Sequence, residues 1–214
     1  ISVGGIDGTK GHIYMVRACK QLLDNNYHIH YSIVGGNGNM TKKIQKEILA
    51  LGLTDDVTLT GILSRKKLVN KLNESDIFVM PSIEVKDGGQ DGIPNVIIEA
   101  MAVKLPIVAT DAGAISEVVM HGHTGIMADQ KSPESLCKHM EKIFNQEYDV
   151  NSMIENAYVL VKKDFDRKKC VKDIGGIINQ QPGDLWSNNL KKELEGKIDE
   201  SKKDEKDVAS KITK

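Results

Sequence analysis

The sequence predicts an α/β fold built on a doubly wound parallel sheet, followed by C-terminal helices and a charged tail. Short apolar runs that stop at glycine or proline alternate with longer segments whose apolar residues recur at helical spacing. Strands that alternate with helices in this way form a parallel sheet with helices on both faces. A chain of 214 residues with 40% hydrophobic content is long enough to bury a sizeable core.

The predicted strands are the apolar runs that end at a turn. They are Ile1 to Val3, Ile29 to Val34, Val57 to Leu63, Asp76 to Met80 and Pro106 to Ala109. The predicted helices lie between and after these runs, and helix caps are expected at Ser64 and Ser132. The helices contain Ile13 to Leu23, Ile44 to Leu51, Leu68 to Leu72, Pro94 to Ala102, Ile115 to Val119 and Leu136 to Ile143.

The pattern divides the chain into three parts. Residues 1–146 form the predicted sheet domain. In residues 147–180 the pattern predicts one helix from Met153 to Val161 and another capped by Asp166. These helices are expected to pack on the sheet domain or on a missing N-terminal domain. Residues 181–214 are rich in lysines and acids, and this composition is typical of a solvated helix or a disordered extension.

Composition narrows the classes of function. A net charge of −1 lacks the basic footprint of a nucleic-acid-binding protein. Cys19, Cys137 and Cys170 are widely spaced, so neither a disulfide framework nor a zinc site is indicated, and a reducing cytoplasmic setting fits best. No apolar run approaches the length of a membrane-spanning helix. Because the chain starts inside a predicted strand and without Met, we expect it to be a piece of a longer protein.

The stretch from Asp76 to Gly113 carries the most chemical information. A predicted strand stops there at Pro81, and an acidic glycine loop leads into a helix that begins near Pro94. In a sheet of this kind, ligands bind beyond the carboxyl ends of the strands. Asp91 precedes the helix and Glu99 lies within it, so two carboxylates are expected to face one crevice. Such a pair suits the hydroxyl groups of a sugar or a ribose.

The same stretch carries a family resemblance. The segments Asp91-Gly92-Ile93-Pro94-Asn95 and Glu99-Ala100-Met101-Ala102, followed by Pro106 to Thr110, resemble the C-terminal, donor-binding domain of GT-B-type retaining glycosyltransferases of the glycosyl transferases group 1 family. The resemblance covers Ile1 to Phe144 and implies one Rossmann-like half of a GT-B fold. It implies a hexosyltransferase-type enzyme that moves a glycosyl group from a nucleotide diphosphate sugar to an acceptor hydroxyl with retention, as in polysaccharide biosynthesis.

The resemblance implies roles for the residues that match the donor-sugar site. Glu99 matches the carboxylate that binds the ribose hydroxyls of the donor. Asp91 matches the carboxylate near the hydroxyls of the donor sugar, where relatives usually have a glutamate. The backbone N–H groups of Gly92 and Ile93 are expected to face the same sugar.

Further matching residues are expected to hold the rest of the nucleotide. The base would lie against the backbone at Gly61 and Ile62, at the end of the third strand. Gly113, Ala114 and Ile115 correspond to a glycine-rich turn before a helix, where N–H groups and the helix dipole would receive the diphosphate.

The first glycine loop supplies the other half of the expected phosphate site. Relatives place an Arg directly after the glycine that ends the first strand and a Lys a few residues later, and the two cations neutralise the diphosphate. Lys10 matches the Lys, but Gly5 follows Gly4 at the position of the Arg. Lys10 and Asp91 are therefore the expected catalytic residues, and the lost cation leaves donor binding better supported than turnover.

The absent half of a GT-B enzyme sets the remaining expectations. Its N-terminal domain holds the acceptor site and often a catalytic histidine, so this fragment alone is expected to be inactive, and none of its six histidines is given a role. The implied partners are a nucleotide sugar and an acceptor glycan, lipid or other hydroxyl compound, without nucleic acid, metal or cofactor. A cytoplasmic location, with peripheral contact at the inner face of the membrane, is expected.

Two other functions stay open from the sequence. One is a sugar-nucleotide epimerase of the same two-domain architecture, against which the Asp91-Gly92-Ile93-Pro94-Asn95 and Glu99-Ala100-Met101-Ala102 segments argue. The other is a non-catalytic nucleotide-binding module, which Gly5 at the usual Arg position favours.

Overall fold

The computed structural model of the protein describes residues 1–84 and 92–165. Within these ranges the strands are β1 (Ser2–Val3), β2 (Tyr31–Val34), β3 (Val57–Gly61), β4 (Phe78–Met80), β5 (Ile107–Thr110) and β6 (Ile126–Ala128). The helices are α1 (His12–Asp24), α2 (Thr41–Ala50), α3 (Arg65–Asn73), α4 (Asn95–Ala102), α5 (Pro133–Phe144) and α6 (Val150–Asp164). Short 3-10 helices occur at Gly8–Lys10 and Ile115–Glu117.

The strands form two three-stranded parallel sheets, in the orders β1-β2-β3 and β4-β5-β6. The two sheets meet between β1 and β4, where the Val79 N–H donates to the Ile1 carbonyl at 2.8 Å and the Ser2 hydroxyl donates to the Val79 carbonyl at 2.5 Å. The spatial order is therefore β3-β2-β1-β4-β5-β6, which reverses direction between β1 and β4. The predicted doubly wound parallel fold is confirmed, and this reversal is the position where such sheets bind ligands.

Helices cover both faces of the sheet because successive strand residues point to opposite sides. Along the fourth strand, Ile77 and Val79 belong to one buried cluster, and Phe78 and Met80 belong to the other. The first cluster includes buried residues of α1, α2 and α5. The second includes buried residues of α3 and α4. Helices predicted from apolar spacing thus bury the expected faces.

The last described helix packs into the same body as the sheet. A compact unit runs from Ile1 to Phe165 and includes α6, whose Met153, Ala157 and Val161 are buried as their spacing predicts. The domain boundary at residue 146 stays a prediction. The helix expected after Asp166 and the tail at residues 181–214 lie outside the described residues.

Three local expectations differ from the structure. The third strand stops at Gly61 because that residue has a φ of +71°, which breaks the extended conformation. Ser64 is the N-cap residue of α3, but its side chain makes no capping hydrogen bond. The helix expected from Ile115 to Val119 is only a 3-10 turn at Ile115–Glu117. Its continuation is diverted because the Thr124 hydroxyl donates to the Val118 carbonyl at 2.6 Å, which holds the chain in a turn.

Candidate functional site

The loops that follow the strands meet at the carboxyl edge of the sheet. After β1 and β2 they run side by side, since the Ile6 N–H donates to the Gly36 carbonyl at 3.0 Å. The loops after β1 and β4 are joined because the Ile83 N–H donates to the Thr9 carbonyl at 2.8 Å. The backbone on both sides of the switch point is therefore held in one connected surface.

Glycines allow these loops to approach one another closely. A Cβ on Gly35 would lie 1.8 Å from the Gly4 carbonyl oxygen, and a Cβ on Gly38 would lie 2.3 Å from the Ile6 carbonyl oxygen. Both distances are far below a van der Waals contact, so neither position accepts a side chain without backbone movement. Loop packing accounts for Gly35 and Gly38, and it does not require a ligand at them.

Lys10 lies beside the end of β1. Its side chain covers Gly4, because a Cβ on Gly4 would stand 3.4 Å from the Lys10 Cγ. Asp7 caps the 3-10 helix that carries Lys10 by accepting from the Thr9 N–H at 2.9 Å. Burial raises the pKa of Asp7, but the hydrogen bonds from Thr9 and the charge of Lys10 outweigh burial and lower it below its ordinary value. A carboxylate and a cation therefore sit side by side in this loop.

A chain of buried polar groups runs beneath the same loop. The Tyr31 hydroxyl donates to the Ser2 Oγ at 2.7 Å, and the His12 Nδ1 lies 3.3 Å from the Tyr31 oxygen. Because the hydroxyl hydrogen goes to Ser2, this geometry favours the His12 tautomer that carries its proton on Nδ1. His12 Nε2 has no hydrogen-bond partner in the described ranges. Burial lowers the pKa of His12 to about 4, with the backbone of Gly5 acting in the opposite direction.

Glu99 projects from α4 and forms an ion pair with Arg65, the first residue of α3. The side chain of Glu99 is 25% exposed and that of Arg65 is 73% exposed, so the pair opens to solvent. Because α3 begins just beyond the carboxyl end of β3, this contact puts the Glu99 carboxylate at the same edge of the sheet as the glycine loops. Asp91, the other predicted carboxylate, lies outside the described residues. The predicted pairing of the two acids thus stays a prediction.

The positions predicted to hold the base are only partly open. The Gly61 carbonyl already accepts from the Gly35 N–H at 3.0 Å and from the Thr60 hydroxyl at 3.1 Å. Ile62 is 83% exposed, and its Cδ1 would lie 3.3 Å from a Cβ on Gly36. Ile62 therefore forms the exposed rim of the edge beyond β3.

The turn predicted to receive the diphosphate leads into a shorter helical element than the sequence predicts. Gly113 and Ala114 are half-buried and precede the 3-10 turn that starts at Ile115. The Ile115 N–H already faces the Ala112 carbonyl at 3.4 Å. A turn of three residues has fewer aligned peptides than the expected helix. The role of Gly113, Ala114 and Ile115 in diphosphate binding stays a prediction. Gly92 is exposed and Ile93 half-buried, just before α4.

Two side chains, from β5 and from the segment after β6, fasten the loops at this edge. The Thr110 hydroxyl faces the carbonyls of Met80, at 3.3 Å, and Ser82. The Gln130 side chain accepts from the Glu84 N–H at 2.8 Å and donates to the Asp111 carbonyl. The segment from Met80 to Glu84 is therefore anchored to β5 and to the segment after β6.

Sequence reasoning missed Arg65, Gln130 and the group around Tyr31. Arg65 and Glu99 are 34 positions apart, so no helical or strand periodicity relates them. Gln130 lies in a segment that contains only turn signals. Tyr31 offered one usable signal, since a tyrosine inside a predicted buried strand needs a partner for its hydroxyl.

The described residues contain neither a metal-binding cluster nor a membrane-spanning helix. In residues 1–84 and 92–165, no group of three or more His, Cys, Asp or Glu side chains is placed to hold a metal ion. No helix in those ranges is both long enough and apolar enough to cross a bilayer. The expectation that no cofactor or metal is required stays a prediction.

The strand order defines a doubly wound α/β domain, with the glycine loops and the acid on α4 at the carboxyl edge of its sheet. The family model described as Glycosyl transferases group 1 matches residues 1–160. The chain belongs to the glycosyl transferases group 1 family.

Curated relatives agree with this family. The amylovoran biosynthesis glycosyltransferase AmsK of Erwinia amylovora is 28% identical over 180 residues, which cover 84% of this chain and 44% of AmsK. The alpha-D-kanosaminyltransferase of Streptomyces kanamyceticus is 25% identical over 178 residues, which cover 83% of this chain and 44% of that protein. The chain thus spans less than half the length of these relatives.

Solved structures show the same fold. HepE of Anabaena, determined in complex with UDP, superposes with a TM-score of 0.70 at 21% identity, over 83% of this chain and 48% of HepE. The C-terminal domain of the group 1 family glycosyl transferase LpcC from Francisella tularensis gives a TM-score of 0.67 at 20% identity, over 78% of this chain and 85% of that domain. The described part of the chain therefore has the Rossmann-like C-terminal fold of a GT-B glycosyltransferase.

Proposed function

We propose that this chain is the donor-binding domain of a retaining glycosyltransferase and that it binds a nucleotide diphosphate sugar at the β1–β4 switch point. The observation that carries the proposal is the position of the Glu99 carboxylate at the carboxyl edge of the sheet. A partly exposed carboxylate is a strong acceptor for two neighbouring hydroxyls, which the ribose of a nucleotide provides. The complex of HepE with UDP shows that a protein of this fold binds such a nucleotide.

The diphosphate is assigned to the loop after β1. Lys10 lies over Gly4 at the end of that strand, next to the switch point. Its ammonium group supplies a positive charge where the nucleotide carries negative charge, and ion pairs of this kind are among the strong polar contacts in proteins. Gly113 and Ala114 are assigned to the same diphosphate through their backbone N–H groups alone.

The remaining parts of the donor take the other matching positions. Asp91, with the backbone of Gly92 and Ile93, is assigned to the donor sugar, and the rim at Ile62 to the base. In the transfer step the acceptor oxygen forms a bond to the anomeric carbon on the face from which the diphosphate leaves. The acceptor proton passes to the departing diphosphate oxygen. This route retains the anomeric configuration and requires no nucleophile from this domain.

The biological setting follows from the relatives. AmsK of Erwinia amylovora is named for amylovoran biosynthesis, and WcaL of Escherichia coli is named for colanic acid biosynthesis. We therefore propose a hexosyl donor and an acceptor in polysaccharide assembly, handled at the inner face of the membrane with an N-terminal domain that completes the acceptor site. The 214-residue chain alone is proposed to bind the donor without transferring it.

The missing cation favours one alternative. Gly5 is exposed and stands at the position where the family resemblance implies an Arg, so a non-catalytic nucleotide-binding module is the second candidate. The two candidates differ only when the N-terminal half is present. Donor binding without transfer or donor hydrolysis in such a two-domain protein would favour the binding module.

Calorimetric titration of the 214-residue chain with UDP, GDP and ADP tests the donor site. At least one nucleotide is expected to bind. Glu99→Gln is expected to lower the affinity for that nucleotide by about tenfold, because the charged group that accepts from the ribose hydroxyls is lost. Glu155→Gln is the matched control, since Glu155 is also a partly exposed helix acid in an ion pair, with Lys104. Absence of binding for all three nucleotides, or equal losses in both variants, would contradict the proposal.

A further inference from the structure

The contact between Arg65 and Glu99 has an unusual combination of exposure and position. Arg65 starts α3 just after β3, and it reaches across to α4. Its Nη1 donates to the Glu99 Oε1. The Arg65 side chain is 73% exposed, so this pair adds little to the folding free energy. Its main effect is on where the Glu99 carboxylate points.

We propose that Arg65 is a positioning residue that holds Glu99 in the orientation needed to accept the ribose hydroxyls of the nucleotide. This inference rests on the proposed function. Arg65 uses one oxygen of the carboxylate, and a carboxylate has about four lone-pair sites. The other sites stay available to hydroxyl donors. A guanidinium group has no acceptor, so it does not compete with Glu99 for the hydroxyl hydrogens.

The benefit of the contact is preorganisation. A glutamate on a helix surface samples several rotamers, and binding a ribose would require one of them to be selected at an entropic cost. Because Arg65 selects a rotamer before the nucleotide arrives, that cost is already met in the free protein. Arg65 therefore acts on the nucleotide through Glu99 and needs no direct contact with it.

The position of Arg65 in the chain supports this role. Ile62 and Arg65 both belong to the segment that joins β3 to α3 and its first turn, and Ile62 is exposed at the same edge. The residue proposed to orient the ribose acid thus lies three positions after the residue proposed to lie against the base.

The test compares ribose and deoxyribose nucleotides. Whichever of UDP, GDP and ADP binds the wild-type chain most tightly is titrated together with its 2′-deoxy analogue. Arg65→Ala is expected to lower the affinity for the ribonucleotide by about threefold to fivefold, which is the effect of losing one exposed ion pair. The same variant is expected to change the affinity for the 2′-deoxy analogue by less, because this analogue lacks one of the two hydroxyls that donate to Glu99. Arg65→Lys should recover part of the loss.

Two controls separate positioning from folding. Arg17→Ala removes another exposed Arg–Glu pair, with Glu47 at 2.6 Å between α1 and α2, and should leave both affinities unchanged. In a Glu99→Gln background, Arg65→Ala should have little further effect, because the partner that it orients is already altered.

The outcomes are distinct. Equal losses for the ribo and deoxy nucleotides, additive losses in the double variant, or tighter binding by Arg65→Ala would overturn the positioning role while leaving the proposed function intact. Failure of the wild-type chain to bind all three ribonucleotides would contradict the proposed function, and the positioning role would fall with it.

Discussion

A Cβ on Gly11 would lie 1.8 Å from the carbonyl oxygen of Pro81. Gly11 is the N-cap residue of α1 with a φ of +61°, and Pro81 directly follows β4, so the backbone entering α1 passes against the backbone leaving β4. This close approach of two backbone segments leaves no room for a side chain at Gly11.

Substitution of Gly11 should destabilise the protein strongly. Gly11→Ala combines a left-handed backbone with a clash against backbone atoms, and it is expected to cost about 3 kcal/mol or more of the free energy of unfolding. Gly52→Ala is the matched control, because Gly52 has a φ of +69° with nothing within 4 Å of its Cβ position. It should cost about 1 kcal/mol. If urea denaturation shows equal losses of unfolding free energy in the two variants, the close approach to Pro81 does not add to the cost of a side chain at Gly11.

The hydroxyl of Tyr31 should contribute to stability through its buried partners. Tyr31→Phe leaves the Ser2 Oγ without its donor and His12 Nδ1 without its acceptor, and it is expected to cost about 1–3 kcal/mol. Tyr27→Phe removes a hydroxyl that bonds Asn145 at the surface, at 3.2 Å, and should change stability by about 0.5 kcal/mol or less. If Tyr31→Phe and Tyr27→Phe shift the denaturation midpoint equally, the buried hydrogen bonds of Tyr31 do not contribute to stability as described.

The stability of the protein should fall in mild acid because of His12. Its pKa is about 4 in the folded protein, against 6.5 for an unperturbed histidine, so the unfolded chain binds more protons between these values. The stabilisation is complete above pH 6.5 and is lost as the pH falls toward 4, by up to about 3 kcal/mol.

His12→Gln isolates that effect. Other groups titrate in the same range in both proteins, so the difference between the two pH profiles reports His12 alone. The variant should show a shallower loss of unfolding free energy between pH 6.5 and 4, whatever its stability at neutral pH. Parallel profiles would mean that His12 is not held neutral by burial.

Lys10 should contribute to binding of the nucleotide through its phosphates and not through its base or ribose. Lys10→Ala is expected to lower the affinity for a nucleoside diphosphate by about tenfold or more, which is the usual effect of losing a charged hydrogen bond. The affinity for the corresponding nucleoside should stay the same. Lys20→Ala, which removes a surface pair with Asp24 on α1, should leave both affinities unchanged. An unchanged affinity for the diphosphate in Lys10→Ala would show that the phosphate site is assigned wrongly.

The strands and most helices were predictable because their signals are local. The apolar run from Ile77 to Met80 is buried on both faces, and the spacing of Met153, Ala157 and Val161 marks one face of α6. The 3-10 turn at Ile115–Glu117 was not predictable in the same way. Its helical spacing is overruled by the Thr124 hydroxyl, which bonds backbone groups that a helix would use.

The candidate site was predictable only as far as its motifs reach. Glu99 and Lys10 follow from sequence patterns, since each lies in a short segment that resembles the family. Arg65 does not, because its ion pair with Glu99 joins two helices that are far apart in the sequence and meet only in the folded chain. The packing of Gly35 against Gly4 is equally a property of the folded sheet, in which β1 and β2 become neighbours.

The most direct measurement of the central claim is a crystal structure of the 214-residue chain with its tightest-binding nucleoside diphosphate. We expect the ribose hydroxyls within hydrogen-bond distance of the Glu99 carboxylate and the diphosphate beside Lys10, beyond the carboxyl ends of β1 and β4. A nucleotide bound elsewhere on the domain, or one at this edge whose ribose points away from Glu99, would contradict it.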